Sequence, residues 1–269
     1  MTYLNCDAHH IDNPYDPGVQ RHGGSDGFGR YDPSNTSTNT LYKGCRAYWC
    51  SDDGWDCFGS PGTIAYDSCW AFYSGYVQDV FPLTHTRGDV DWGDGNGFKL
   101  GSATTPADHV NTKRFVNNCF AFKNYRNGFD QNLADIKMQF YNNTAYKNEV
   151  GFFIYKAVNP PMIAKNNIAY ANNKGQQKFL PAGTTQSNNT WNGGVTVNDD
   201  DFVSVEDAGV TGARQANGNL PNVTFMKLAR GSDLIAAGAN TGLPFNPPAP
   251  NIGAFGPFDF LAGIKINSK

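Results

Sequence analysis

The sequence has few charged residues and no long hydrophobic stretch. Lys, Arg, Asp and Glu make up 17% of its 269 residues, and the formal net charge is -3. No basic patch is visible along the chain, so we expect no nucleic acid as the main partner. No apolar run approaches the ~20 residues that a transmembrane helix requires, so we expect no membrane association.

The N-terminus also lacks the pattern of a secretory signal peptide. Residues 1–6 contain neither a basic region nor an apolar core. The six cysteines do not identify the cellular compartment, because four of them recur at one position of a repeat. That recurrence favours a buried stack of thiols over a disulfide framework. The redox state of Cys50 and Cys57 stays open at this stage.

A short phrase repeats along the chain: a small residue or Cys, one further residue, then Ala and usually an aromatic residue. The fit is looser in the later copies. The copies start at Cys6, Cys45, Cys69, Cys119, Thr144 and Ile168, with a further candidate at Thr190. Successive starts are 39, 24, 50, 25, 24 and 22 residues apart, so four of the six intervals are 22–25 residues. Periods of roughly 20–50 residues are typical of solenoids.

Two further phrases complete each repeat unit. One places an aromatic residue after Gly, as in Asp53-Gly-Trp55 and Asn96-Gly-Phe98. The other contains β-branched residues, as in Thr63-Ile-Ala-Tyr66. Three short strands per unit, with abundant Gly and aromatic residues, predict an all-β fold: a right-handed parallel β-helix of three sheets. We expect one domain over residues 1–269, with coils over about 3–192 and a C-terminal region that caps the solenoid over about 193–269.

The alignment of the coils predicts three files of stacked side chains. We expect one aromatic file, one cysteine file and one asparagine ladder, the last of which links consecutive coils through side-chain amides. Their members are Phe28, Trp55, Phe98, Phe129 and Phe152; Cys6, Cys45, Cys69 and Cys119; and Asn118, Asn143, Asn167 and Asn189. Beyond the repeat, residues 225–234 are predicted to form a helical stretch.

Two stretches carry the candidate chemistry, Ser51-Asp-Asp-Gly-Trp-Asp56 and Gly95-Asn-Gly-Phe-Lys-Leu-Gly101. The alignment places Asp26 and Asp53 at one position of adjacent coils. It places Asp56, Lys99 and Asp130 at another position of three successive coils. Insertions at residues 9–24 and 76–94 are expected to wall a groove beside them, because solenoid insertions often collect on the binding face.

Asp26, Asp52, Asp53 and Asp56 would repel one another strongly unless a cation neutralised them. Calcium takes about 6–8 oxygen ligands, often carboxylates, so the cluster predicts a calcium site. The alternative is that these aspartates are ordinary turn residues, since Asp-Gly is a common turn pair. A lone lysine such as Lys99 is usually solvated, but its predicted place beside the acidic cluster favours a functional role.

The chain resembles polysaccharide lyase family 9 from about residue 5 to 256. The motifs that carry the resemblance are the two stretches above, together with Asn127-Gly-Phe-Asp-Gln-Asn132, Gly231-Ser-Asp-Leu-Ile235 and Ala249-Pro-Asn-Ile-Gly-Ala-Phe255. The resemblance implies a right-handed β-helix that cleaves pectic polymers by calcium-dependent β-elimination. It also implies Asp26, Asp52, Asp53 and Asp56 as calcium ligands and Lys99 as the base. An extracellular monomer acting on an acidic plant-type polysaccharide is expected.

Three other functions remain open from the sequence. Within the lyases, the substrate is either polygalacturonate or rhamnogalacturonan I. A β-helix glycoside hydrolase would use Asp52 and Asp53 as acid and base, although the chain has no Gly-His-Gly or Arg-Ile-Lys motif. A non-catalytic glycan-binding solenoid is the third. The sequence identifies neither the residues that bind the neighbouring sugars nor an endo or exo action.

Overall fold

The chain winds into consecutive coils, each of which adds one short strand to each of three parallel sheets. The computed structural model describes residues 1–13, 23–29, 39–76, 93–107, 110–156, 162–178, 180–246 and 248–255. Within them the strands, coil by coil, are β1 (Thr2–Leu4), β2 (Asp7–Ile11) and β3 (Phe28–Gly29); β4 (Thr40–Lys43), β5 (Arg46–Cys50) and β6 (Trp55–Asp56); β7 (Thr63–Asp67), β8 (Trp70–Phe72) and β9 (Phe98–Lys99); β10 (Lys113–Asn117), β11 (Phe120–Phe122) and β12 (Asn127–Asp130); β13 (Lys137–Tyr141), β14 (Thr144–Tyr146) and β15 (Val150–Phe153); β16 (Ile163–Lys165), β17 (Ile168–Tyr170) and β18 (Gln177–Lys178); and β19 (Thr185–Ser187).

The strand order in every sheet follows the coil order. Sheet 1 runs β1-β4-β7-β10-β13-β16-β19, sheet 2 runs β2-β5-β8-β11-β14-β17, and sheet 3 runs β3-β6-β9-β12-β15-β18. All of these pairings are parallel, and each coil pairs with the next without a gap. The predicted three-sheet parallel β-helix is therefore confirmed.

The predicted aromatic file lies inside the solenoid. Neighbouring ring centroids along sheet 3 are 5.0, 4.6, 5.0 and 4.8 Å apart, with interplanar angles of 5–19°. Trp55, Phe98, Phe129 and Phe152 are fully buried. Offset stacking adds to the free energy that burial of these large rings already contributes. The coil alignment that predicted this file is confirmed.

The predicted cysteine file and the asparagine ladder occupy one and the same position. Cys6, Cys45, Cys69 and Cys119 lie on successive coils, and Asn143, Asn167 and Asn189 continue the file. The Asn143 side chain accepts a hydrogen bond from the Cys119 backbone N–H at 2.9 Å. All six cysteines of the chain are free thiols.

The prediction for Asn118 was wrong by one residue. Asn118 precedes the ladder position, has a left-handed backbone (φ 54°) and donates its side-chain amide to Asp67 at 3.1 Å. Cys119 occupies the ladder position on that coil. Asn tolerates a left-handed backbone better than most residues, so an Asn before the strand marks a bend as readily as a ladder.

A second asparagine ladder was not predicted. Asn124, Asn148 and Asn172 stack on consecutive coils, with side-chain amide bonds of 2.9 and 3.1 Å between them. Each amide also donates to a carbonyl of sheet 2, such as Asn148 to Ala121 at 3.0 Å. These bonds satisfy buried backbone groups at the bend between sheets 2 and 3, where strand pairing stops.

The described residues of the C-terminal region lie along the outer face of sheet 2. The Ala residues of the first repeat phrase face the interior, whereas the aromatic residues beside them face this region. Phe225 and Phe255, for example, lie with ring centroids 5.3 and 5.1 Å from Phe120. The region reaches the first coils, where Arg214 donates to the carbonyls of Cys6 and Gly44. The expected C-terminal cap thus covers the side of the solenoid, while Trp191 packs against Phe152 at the end of the aromatic file.

The predicted helix over residues 225–234 is absent. Phe225 and Leu228 form isolated bridges with Ser204 and Phe202, and Met226 has a left-handed backbone (φ 53°). These apolar residues pack on sheet 2 as an irregular segment, because their burial against the aromatic residues outweighs local helix propensity. No helix in the described part of the chain is long and apolar enough to cross a membrane. The predicted insertions fall mostly on residues 14–22 and 77–92, which lie outside the described residues.

The aromatic file gives a stability prediction. Phe98→Ala should lower the free energy of unfolding by about 3–5 kcal/mol, because it leaves a cavity between two stacked rings. Urea unfolding measures the loss. Phe58→Ala is the control, since Phe58 is 46% exposed. Equal losses for the two variants would contradict the proposed energetic role of the file.

Candidate active site

Asp26 and Asp53 lie at one position of adjacent coils, at the start of sheet 3. Asp26 accepts a hydrogen bond from the Asp53 backbone N–H at 3.0 Å. Asp53 in turn accepts from the backbone and the side-chain amide of Asn96, at 2.6 and 3.0 Å. Asn127 continues the file through its backbone N–H. The file is similar to an asparagine ladder, but its side chains accept from the following coil instead of the preceding one, and its first two positions hold carboxylates.

Asp56, Lys99 and Asp130 form the second file, on strands β6, β9 and β12, as the alignment predicted. The Lys99 ammonium lies 3.0 Å from Asp53 Oδ2 and 3.0 Å from Asp56 Oδ2. Only 9% of the Lys99 residue is exposed. The structure therefore brings the predicted lysine into direct contact with two of the predicted aspartates.

Asp52 lies where the ends of both predicted insertions approach the site. Its two carboxylate oxygens accept hydrogen bonds from the backbone N–H groups of Gly24 and Asp94, at 2.5 and 2.6 Å. Gly93 passes so close that a Cβ there would lie 2.4 Å from the Asp52 Cα. Only glycine permits this approach, which positions Asp94 beside the cluster.

Mutual repulsion and burial disfavour the charged forms of these carboxylates. Burial, followed by the charges of Asp52 and Asp56, raises the pKa of Asp26 to about 8. Burial and Asp52 raise the pKa of Asp53 well above its ordinary value, and burial also raises the pKa of Asp52. Burial alone would lower the pKa of Lys99, but Asp53, Asp56 and Asp94 together raise it above its ordinary value. Without a further cation, Lys99 is therefore the positive charge of the cluster.

Oxygens of Asp26, Asp52 and Asp53 all lie within 4.8 Å of one another. Asp53 Oδ2 is buried, and among the described residues its partner is the Lys99 ammonium. Asp56 is not part of this group of three; its Oδ2 contacts Lys99 and its Oδ1 accepts from the Phe58 N–H at 2.7 Å. An all-carboxylate donor set, in which the buried Asp53 Oδ2 has only an ion-pair partner among the described residues, fits a hard cation such as calcium. The assignment of Asp26, Asp52, Asp53 and Asp56 as its ligands stays a prediction.

Sequence reasoning missed two charged residues of the site, Asp94 and Arg126. Asp94 Oδ2 lies 3.2 Å from the Lys99 ammonium, and Asp94 Oδ1 forms an ion pair with Arg126. Asp94 is the last residue of a predicted insertion, so the alignment of the repeats could not predict which residues lie beside it. Asp130 was aligned with Lys99 but given no role; burial raises its pKa to about 6.

Comparison with known proteins identifies the family. The sequence model described as Pel9A-like, right handed beta helix region matches residues 1–189. The chain belongs to this family. The predicted right-handed coil is confirmed, and so is the resemblance to family 9 polysaccharide lyases.

Similar proteins with curated names include Pectate lyase L of Dickeya dadantii (strain 3937), which is 32% identical over 94% of this chain and 55% of its own length. The crystal structure of pectate lyase Pel9A superimposes with a TM-score of 0.75 at 28% identity, over 95% of this chain and 59% of that chain. A rhamnogalacturonan lyase superimposes with a TM-score of 0.70 at 28% identity, over 85% of this chain and 57% of that chain. The chain spans about half the length of the curated relatives it matches.

The raised carboxylate pKa values predict how stability depends on pH in metal-free protein. Asp26 has a pKa of about 8 in the folded protein and an ordinary value of 3.8. The folded state therefore holds its proton more tightly than the unfolded state does, so this contribution is present at low pH and is lost as pH rises from about 4 to about 8. The melting temperature should fall across this range.

Asp26→Asn should flatten that fall, because the amide does not ionise. Thermal unfolding in the presence of chelator, at a series of pH values, measures the slope. Asp135→Asn is the control, since it removes a carboxylate that is 40% exposed and paired with Lys156 outside the site. A slope for Asp26→Asn as steep as that of the unaltered protein would show that Asp26 does not cause the dependence.

Proposed function

We propose that this chain is the β-helix domain of a calcium-dependent lyase that cleaves pectic uronic-acid polymers by β-elimination. The observation that carries the proposal is the Lys99 ammonium, which lies 3.0 Å from both Asp53 and Asp56 beside a group of converging carboxylates. Relatives named pectate lyase support the same reaction class. A polymeric pectic substrate is consistent with the extracellular location that the family resemblance implies.

Asp26, Asp52, Asp53 and Asp56 are the residues that would hold calcium. When bound, the ion supplies positive charge that neutralises the aspartates and acidifies the proton on C5 of the uronate, next to its carboxyl group. The ligand carboxylates would then raise the pKa of Lys99 less, so burial would favour its neutral form.

Lys99 Nζ is the group that would take the C5 proton. The electrons of the C5–H bond form the double bond between C4 and C5. The glycosidic oxygen leaves C4 with the electron pair of the C4–O bond and takes a proton from water. The products are one chain with a new reducing end and one with an unsaturated sugar end. The unsaturated end absorbs ultraviolet light, whereas a hydrolase using Asp52 and Asp53 would add water and produce no such chromophore.

Rhamnogalacturonan I is the second candidate substrate, because a rhamnogalacturonan lyase shares the fold at a TM-score of 0.70. Polygalacturonate is preferred, since the similar curated proteins are named pectate lyases. Ultraviolet assays on both polymers separate these substrates. Binding without any product would instead support a non-catalytic glycan-binding solenoid.

Calcium dependence gives one test of the proposal. Chelation should abolish formation of unsaturated products, and added calcium should restore it. Calcium should also raise the melting temperature, because it binds the folded state selectively. Titration calorimetry measures uptake directly, and the absence of calcium uptake by pure protein would overturn the metal assignment.

Substitutions of Lys99 test the base. Lys99→Ala should lower turnover roughly 10²–10⁴-fold, the usual contribution of a general base. Lys99→Arg should be nearly as impaired, because arginine stays protonated (pKa above ~12) and cannot accept a proton. Calcium binding, measured by calorimetry, should persist in both variants. Near-normal turnover by Lys99→Arg would show that the residue acts only through its charge.

A further inference from the structure

Asp94 places a carboxylate between two cations at the exposed end of the site. One oxygen contacts the Lys99 ammonium at 3.2 Å, and the other forms an ion pair with the Arg126 guanidinium. The side chain of Asp94 is 42% exposed and that of Arg126 is 34% exposed, whereas that of Lys99 is 11% exposed. The two cations therefore form a carboxylate-binding site that opens to solvent.

We propose that Arg126 binds a carboxylate of the acidic polymer, and that the Asp94 carboxylate occupies the Arg126 guanidinium in the free protein. The inference rests on the proposed function and adds a substrate-binding residue, Arg126, together with an internal competitor, Asp94. The ligand class is a uronate, whose planar carboxylate matches the one that the structure shows there.

The fold positions Arg126 for this role. Its backbone N–H donates to the Gly95 carbonyl at 2.9 Å, so Arg126 lies one coil beyond Asp94 on the same edge of sheet 3. The guanidinium is planar, stays charged and binds carboxylates through two parallel hydrogen bonds. A substrate chain running along the coils past Lys99 would meet Arg126 on the next rung.

Asp94 can leave this site at little cost. Its backbone N–H, not its side chain, donates to Asp52, so the contact that supports the acidic cluster does not depend on the Asp94 carboxylate. The Asp94 side chain is 42% exposed, and ion pairs of exposed side chains contribute little to stability. Exchange of one carboxylate for another also preserves the charge balance around Arg126.

The neighbouring coils supply a matched control on the same edge. Glu149 and Lys174 follow Arg126 through backbone hydrogen bonds of 2.7 Å each and form an ion pair with each other. The Lys174 side chain is 54% exposed. Lys174→Gln removes one exposed cation from this edge, as Arg126→Gln does, but two coils farther from Asp94.

The experiment compares Arg126→Gln, Lys174→Gln and Asp94→Asn with the unaltered protein. Arg126→Gln should raise KM for polygalacturonate by roughly 10-fold or more, the loss expected for hydrogen bonds to a charged group, with a smaller change in kcat. Lys174→Gln should change KM less than 2-fold. Asp94→Asn should tighten binding of a trigalacturonate, measured by calorimetry without calcium, because it removes the competitor. Arg126→Lys should recover part of the lost binding.

Two results would overturn the inference. One is an unchanged KM and trigalacturonate Kd for Arg126→Gln in a folded protein that still releases unsaturated products. The other is a loss of melting temperature and kcat without any change in KM, which would show that the Asp94–Arg126 pair has only a structural role. Absence of unsaturated products from the unaltered protein would instead count against the proposed function, and the trigalacturonate titrations would still decide whether Arg126 binds the carboxylate.

Discussion

Hydrogen bonding between equivalent positions of consecutive coils is the constraint on which the rest of this structure depends. The strands are only two to five residues long, so strand pairing leaves many backbone groups unpaired at the bends. Side-chain amides satisfy them: the Asn143 ladder serves the bend between sheets 1 and 2, and the Asn124 ladder serves the bend between sheets 2 and 3. Each ladder amide bonds both the next ladder side chain and a strand carbonyl, which holds the coils in register.

The acidic cluster uses the same arrangement. Asp26 and Asp53 accept backbone hydrogen bonds from the following coil, whereas the ladder asparagines accept them from the preceding coil, and a carboxylate has no N–H to donate to its neighbour. The repeat therefore places two carboxylates on adjacent rungs, and Asp52 in the turn before β6 and Asp56 on β6 add two more. Lys99 offsets part of this repulsion at the next rung. The stacking of coils thus fixes the positions of these charges and, by the same spacing, brings them close enough to repel one another.

The parts of the structure that follow the repeat could be predicted from the sequence. The residues of the aromatic file recur at one position of the repeat, and that alignment also places Asp56 next to Lys99. Asn118 was misplaced because Cys119 interrupts the asparagine file and leaves two candidate registers. The ion pair between Asp94 and Arg126 could not be predicted, because Asp94 belongs to an insertion that the repeat alignment does not cover. The apolar residues of 225–234 predict a helix, but they pack on sheet 2 as an irregular segment, a contact that no local pattern encodes.

The C-terminal region changes how the solenoid unfolds. In a simple solenoid each coil contacts only its neighbours, so coils can open one at a time from either end. Here one covalently continuous segment touches sheet 2 from Cys6 and Arg46 on the first two coils to Tyr170 on the sixth. Opening of an end coil must also detach part of this segment from the coils that remain. The fold therefore behaves as one cooperative unit, in which the loss of a terminal coil weakens coils that it does not touch.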